Sequence, residues 1–358
     1  MGPKTLESVW QRLAWAFNAL AEGKMPATDW QARPIEDAGR QLAGGWRFAM
    51  IGLRGDWEFY NQACGFPTSQ SVPNMCWLCN ASPKSGDLCW TKGSKHALWR
   101  RTLRSHEKYL AELSDKGKPI PALFQIRTLR LEGVFADVLH TIDQGVASHL
   151  VGNIMHDVMR QGHWGNTQSD QAAKLDQHLK AWYKSQKEGT RIDGKITFQR
   201  VKKSDDWPRL LAKAAPTRRL APYALALATE FDRGSEHDKL RKGAAQALVK
   251  IYDIFEREPR FPSMAARGEL ADLSVAFMGI WGRLSSEALS IKSREWKMSP
   301  KFHLMQHILE HQSWLNPRCT WTYSDEDLQR ILKSVALSCH PTNVPHMVLF
   351  KWAVATFD

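Results

Sequence analysis

Apolar residues recur at helical spacing over most of the chain. In Leu6–Leu20, Val9, Leu13, Ala16 and Leu20 share one face, and Ser8 is placed to cap it. Gly133–Met159 repeats the pattern through Val138, Ile142, Val146, Leu150 and Ile154. Ala221–Phe231, His237–Glu258 and Glu269–Ile291 are amphipathic and rich in Ala and Leu, the make-up of a bundle that buries apolar faces. Helices are also expected in the stretch that begins HALWRRTLRSHEKYLAEL, after the polar loop that opens Gly162–Asp176, and after Pro300. Another follows Ser324, with Asp327 at N3 of a capping-box-like pattern, and Pro345–Phe357 is apolar enough for a packed terminal helix. Strand signals are fewer. Trp46–Leu53 is a short apolar run stopped by Arg54-Gly55-Asp56, which predicts a buried strand with an Asp at its exit. Thr190–Val201 alternates at Ile192, Ile196 and Phe198 around Asp193-Gly194, a hairpin signal, and Cys319–Tyr323 predicts a short aromatic strand. The pattern therefore predicts a mostly α fold with a small α/β part.

At 358 residues the chain has ample apolar material for one large domain or two ordinary ones. Its formal charge of +12 points to a polyanionic partner, nucleic acid first and an anionic membrane surface second. Two blocks carry much of that charge: Lys95–Arg130, with Arg100, Arg101 and Arg104, and Lys184–Arg219, with Lys202, Lys203, Arg218 and Arg219. Each block is equally well read as a solvated face. Six cysteines, one C-x-x-C pair and four singles, do not form a secreted disulfide framework, so a reducing compartment is expected. The N-terminal MGPKTLESVW matches no signal peptide, presequence or myristoylation pattern. The longest apolar runs, near Tyr223–Ala228 and Val275–Trp281, are too short to span a bilayer. A nuclear or cytoplasmic protein without membrane attachment is the expectation.

Chemistry concentrates in His303–Asp327. On a helix His303, His307 and His311 lie four apart and project from one face, and His-x-x-x-His is how one helix gives two imidazoles to a tetrahedral metal. Far upstream, Cys76 and Cys79 follow the Pro/Ser/Asn-rich loop Phe66–Asn74 and offer the remaining two ligands. A C-x-x-C alone also fits a redox pair or two buried thiols, but the redox reading needs a βαβ context that is missing here. A zinc ion would then join distant parts of the chain and set Glu326, in the acidic cluster Asp325-Glu326-Asp327, beside Asp56. Taken singly, Asp56 is explained by starting a turn, and the acidic cluster by complementing a helix N-terminus. Asp137 and His140, i and i+3 on one helical turn, have the same kind of structural explanation.

The order and spacing of these islands resemble the C-terminal two-thirds of a cut-and-paste DNA transposase with an RNase H-like (DDE) core, closest to the CACTA-type (En/Spm) family. In that family the second catalytic Asp ends a strand in a pattern like T-I-N-D-F-P-A-Y, matched by GLRGDWEFY, and C-x-x-C follows, matched by MCWLC. A segment resembling D-V-M-H-I-E-K-N-V-C-D-N-I-L-G compares with DVLHTIDQGVASHLVG, so Asp137, His140 and Gly152 coincide. Its C-terminal part, H-L-L-V-H-L-P followed by a turn and R-W-M-Y-P-F-E-R, compares with HLMQHILEHQSWLNPRCTWTYSDEDL. The C-x-x-C, the His pair and the following Glu are also similar to the zinc site of the V(D)J recombinase catalytic subunit.

The resemblance implies structural Zn²⁺ on Cys76, Cys79, His303 and His307, with Asp56 and Glu326 as active-site carboxylates and Asp137 and His140 as family markers near the site. It implies Mg²⁺ as cofactor if the protein is catalytic, because two-metal phosphodiester chemistry is carried by carboxylates from separate elements. It further implies DNA as partner, held by phosphate contacts, and leaves room for a homo-oligomer. The implied domains are residues 1–75, the N-terminal part of the core; 76–298, a helical insertion; and 299–358, the C-terminal part of the core. The strand bearing the first catalytic Asp would precede Met1, and Asp29 and Asp37 sit in polar, non-strand settings. The expectation is thus a transposase-derived protein that is inactive alone. A zinc-stabilised helical interaction module without a nucleic-acid role is the competing reading. An autonomous metal nuclease would need a replacement for the missing Asp.

Overall fold

The computed structural model describes residues 3–161, 164–186 and 189–357. Residues 162 and 163 of the expected Gly162–Asp176 loop, and Lys187 of the second basic block, lie outside the described residues. The chain divides into two compact units, Met1–Thr320 and Trp321–Asp358. The divisions expected after residues 75 and 298 both fall inside the first unit.

Helix α1 (Pro3–Glu22) begins before Ser8, which lies within it and does not cap it. Its buried positions include Ala14 and Ala19, whereas Val9 and Leu13 are exposed, so the face turned inward is not the expected one. The Trp46–Leu53 run does not form a strand over its length. Phe48 N–H donates to Leu20 O and Met50 N–H to Thr128 Oγ1, irregular anchors that leave Trp46, Phe48 and Ile51 exposed. Only β1 (Leu53–Gly55) is extended and paired. Asp56 then caps α2 (Trp57–Cys64) by accepting the Phe59 N–H at 2.7 Å, and Gly65 ends that helix in the left-handed conformation that glycine adopts without strain.

The basic stretch after Lys95 is not one helix. A 3₁₀ segment, Leu98–Thr102, stops, and α3 (His106–Asp115) restarts under its own cap, Ser105. The chain then returns in β2 (Val134–Ala136), parallel to β1 with Leu53 opposite Val134 and Gly55 opposite Ala136. The buried Tyr60 hydroxyl donates across both strands, 2.8 Å from Leu53 O and 2.6 Å from Phe135 O. On the outer edge of β2, Gln312 plays the part of a third strand. Its Oε1 accepts the Ala136 N–H at 3.0 Å and its Nε2 donates to Val134 O at 2.8 Å.

Gly133–Met159, which reads as one helix, is β2 followed by a π-helical segment, Leu139–Ala147, and α4 (Ser148–Arg160). Ile142, Val146, Leu150 and Ile154 are all fully buried. Next come α5 (Gln168–Ser185), α6 (Phe198–Val201), α7 (Ala214–Arg219), α8 (Ala221–Glu230), α9 (Glu236–Arg257), α10 (Met264–Ser290) and α11 (Pro300–Glu310). No hairpin forms at Thr190–Val201. Arg200 folds back and donates to the carbonyls of Asp193 and Lys195, and those carbonyls would otherwise be free for strand pairing. Helices α8, α9 and α10 pack in succession, and α11 packs on α10 and on the π-helical segment. Within the bundle the fully buried Arg241 is neutralised by Asp157 at 2.7 Å and Asp238 at 2.9 Å.

The second unit holds α12 (Tyr323–Leu337) and α13 (Val344–Phe357). The aromatic strand expected at Cys319–Tyr323 is absent. Pro317–Cys319 is a 3₁₀ turn closed by the Asn316 side chain, and Thr322, not Ser324, precedes the helix. On α13, Leu349 and Phe350 are exposed. Among the described residues, no helix is long and apolar enough to cross a membrane.

Candidate metal centre

The ligand atoms of Cys76, Cys79, His303 and His307 lie within 4.8 Å of one another, and all four residues are fully buried. Pro300 sets φ at the start of α11 and pre-orders its first turn, and the i, i+4 spacing stacks the two imidazoles on one face. Their Nε2 atoms are 3.1 Å apart. Cys79 Sγ is 3.3 Å from His303 Nε2 and 3.4 Å from His307 Nε2, and Cys76 Sγ is 3.5 Å from His307 Nε2. A tetrahedral zinc, with Zn–S near 2.3 Å and Zn–N near 2.05 Å, demands ligand edges of about 3.3 Å between nitrogens and about 3.6 Å between nitrogen and sulfur. The four donors therefore surround a point at the right distance for such an ion. Four protein ligands without an open position make a closed site, suited to holding structure together and not to turning over a substrate. This centre could hold a metal ion, and its donor set is consistent with structural zinc.

A backbone N–H points at each sulfur. Leu78 N–H donates to Cys76 Sγ at 3.3 Å, and Ala81 N–H donates to Cys79 Sγ at 3.4 Å. Burial opposes ionisation of both. At Cys76 it is outweighed by the hydrogen bond from Cys79 and by His307 and His303, which hold that thiol well below its usual range. Cys79 is pushed up, by burial first and then by the Cys76 sulfur beside it. Burial also holds His303 below the usual imidazole value, keeping a lone pair free for a cation. His303 Nδ1 and His307 Nδ1 are buried without hydrogen-bond partners. The rings are instead fixed by packing, with Trp99 edge-on to His303 at 4.5 Å and to His307 at 5.2 Å. His311, third in the series, ends the helix outside the ligand cluster, and burial first, then His307, holds it at about 4.

Two residues expected to contact nucleic acid instead brace this centre. Arg104 Nη1 donates to the carbonyls of Cys76 and Cys79, both at 2.8 Å, and its side chain pairs with Glu112 at 3.1 Å. Arg100 pairs with Glu310 of α11 at 2.6 Å, donates to Gln306 Oε1 at 2.9 Å and lies over the Trp99 ring. Both guanidiniums are largely buried and cannot face phosphate. Arg218, in the last turn of α7 and not at a helix start, is half-buried and paired with Glu256. Arg101, Lys203 and Arg219 are exposed and Lys202 is half-exposed, so these four remain at the surface.

The β1–β2 register puts the residues that follow the two strands, Asp56 and Asp137, at the same end of the sheet. Asp137 is buried. Its carboxylate accepts the N–H groups of Leu139 and His140, each at 3.0 Å, and contacts the His140 ring. Lys301, two residues before the first imidazole, lies close enough to feel both acids. Burial and the neighbouring Arg209 nonetheless lower its ammonium to about 8. Glu326 belongs to the second unit, exposed in the first turn of α12, where its N–H donates to Thr322 O at 2.9 Å. Sequence patterns gave no sign of Gln312, Trp99 or the inward role of Arg104. All three act through backbone carbonyls or ring faces, which leave no spacing signature. No known protein-family model matches the chain, and neither does any curated protein.

Proposed function

We propose that the chain is a transposase-derived, DNA-binding protein of CACTA kinship. In this reading a structural zinc on Cys76, Cys79, His303 and His307 pins a helical insertion to a partial RNase H-like core. The observation that carries it is the convergence of two cysteines and two histidines across 224 residues, in the order the resemblance requires. The parallel β1–β2 pair, with Asp56 at its exit, is compatible with an RNase H-like strand pair. Mg²⁺, if bound, would supply charge stabilisation to phosphodiester cleavage. Of the two expected carboxylates, Asp56 lies in the first unit and would offer the ion one oxygen, and Glu326 lies in the second unit. Asp56 already accepts a backbone N–H, so one of its oxygens stays committed to starting α2. Equilibrium binding of a DNA duplex across a salt series tests the reading. Affinity that falls steeply with salt supports it, and absence of binding at low salt rejects it.

A second reading, a zinc-stabilised helical interaction module, is favoured by one observation. Arg100, Arg104 and Arg218 are spent on Glu310, Glu112 and Glu256. The same titration decides between the two.

A further inference from the structure

Members of the second basic block other than those named from the sequence gather around a cleft of the first unit. A surface cleft of about 500 Å³ opens between the start of α4 and the segment 192–216, lined by Arg200, Arg209 and Lys213 with Asp193 as its one acid. Arg209 is built into the wall. Its Nε lies 3.3 Å from Ser148 Oγ and its Nη2 donates to Gln144 O at 3.1 Å, which aims the guanidinium while leaving it exposed. Gly152 lets this wall close, because a Cβ there would sit 2.6 Å from Arg209 Cα and from Leu210 N. The buried His149 reports the local field. Burial first, then Arg209, with smaller contributions from Lys297 and Lys301 and against a hydrogen bond at Pro208, hold it at about 4. Lys297 lies over the Trp207 ring at 4.3 Å. Among the described residues, Arg200, Arg209, Lys213 and Lys297 have no carboxylate ion-pair partner, in contrast to Arg100, Arg104 and Arg218. Cations gathered in one cleft raise the local positive potential and favour an anion there.

We infer that the Arg200–Arg209–Lys213 cleft, together with the exposed Lys297, is a track for a nucleic-acid phosphodiester backbone. Three cations lining one cleft suit charges repeated along a strand. The inference rests on the DNA-binding reading and replaces Arg100, Arg104 and Arg218 with a different set of contacts.

The test is fluorescence anisotropy of a labelled mixed-sequence duplex over a salt series. It compares the full chain with the triple variant Arg209→Gln/Lys213→Gln/Lys297→Gln and the equally charged control Lys108→Gln/Lys116→Gln/Lys118→Gln. Each lost phosphate contact flattens the slope of log K against log salt by about 0.9, so the triple variant should flatten it by about 2–3 while the control keeps the parent slope. Equal loss in both variants would reduce the effect to net charge and overturn the track. Binding by the parent with no change in the triple variant would overturn the track and leave the DNA reading standing. No binding by the parent would overturn both, and attachment to phosphatidylserine vesicles in its place would assign the face to membrane. Zinc content and circular dichroism verify the fold. If the triple variant does not fold, the single variants Lys213→Gln and Lys297→Gln, at exposed lysines whose ammonium groups make no hydrogen bonds, should each flatten the slope by about 0.9. An unchanged slope in both overturns the track.

Discussion

Removing a metal held by the four donors should loosen the first unit, because such an ion would cross-link residues far apart in sequence. Cys79 and His303 are 224 residues apart, and treating the ion as a cross-link, chain entropy alone assigns it about 5 kcal/mol. With an unfolding entropy near 2.1 cal/mol/K per residue, a unit of about 320 residues loses stability at about 0.7 kcal/mol per degree, so Tm should fall by about 7–8 °C. If the ion is instead released on unfolding, its coordination free energy, ~10–16 kcal/mol in zinc-finger peptides, takes the place of that figure and the fall in Tm is larger. The assay is thermal unfolding of the purified protein before and after chelation, beside Cys79→Ser, with metal content measured on the same samples. An unchanged Tm after verified removal of the metal would refute the clamp.

Other outcomes follow from the same contacts. Arg104→Gln should destabilise the protein by about 3 kcal/mol or more and weaken metal binding roughly 10–100-fold, because buried carbonyls of the cysteine turn and Glu112 lose their donor. Chemical denaturation and a competitive zinc chelator measure the two effects, and DNA affinity should change only as far as folding does. Gly152→Ala should destabilise by about 1–3 kcal/mol, since the new Cβ meets backbone atoms that cannot move aside; a denaturation midpoint equal to the parent would contradict the close packing seen. Hydrogen bonding to Asp157 and the charges of Asp157 and Glu287, against burial, raise His237 to about 9. Its folded value exceeds its unfolded value of about 6.5, so its contribution is complete below pH 6.5 and is lost as pH rises through about 9. The destabilisation caused by His237→Asn should therefore be larger at pH 6 than at pH 10 in urea titrations, and a pH-independent difference would count against it.

The metal centre was legible because each half is a local pattern. C-x-x-C and His-x-x-x-His each carry their geometry in their spacing, and the fold had only to bring the halves together. The long amphipathic helices were legible for the same reason. Trp46–Leu53 was misleading because an apolar run says nothing about where its N–H groups go, and here Leu20 O and Thr128 Oγ1 take them. The π-helical segment was invisible because Ile142 and Val146 are buried whichever helical form the turn takes. Charge misled most. Arg100 and Arg104 look like surface cations in sequence, yet their forks match Glu310 and the cysteine carbonyls inside the protein. The cations without a carboxylate partner are Arg209 and Lys213, inside the second basic block but not the residues named in it, and Lys297, outside both blocks.

Zinc K-edge X-ray absorption of the purified protein tests the centre most directly. The expected spectrum is one zinc per chain with two sulfurs near 2.3 Å and two nitrogens near 2.0 Å, changing in Cys76→Ser. A shell of four sulfurs, a shell dominated by oxygen, or a fully folded protein without metal would contradict the joining of these distant parts of the chain by a shared ion.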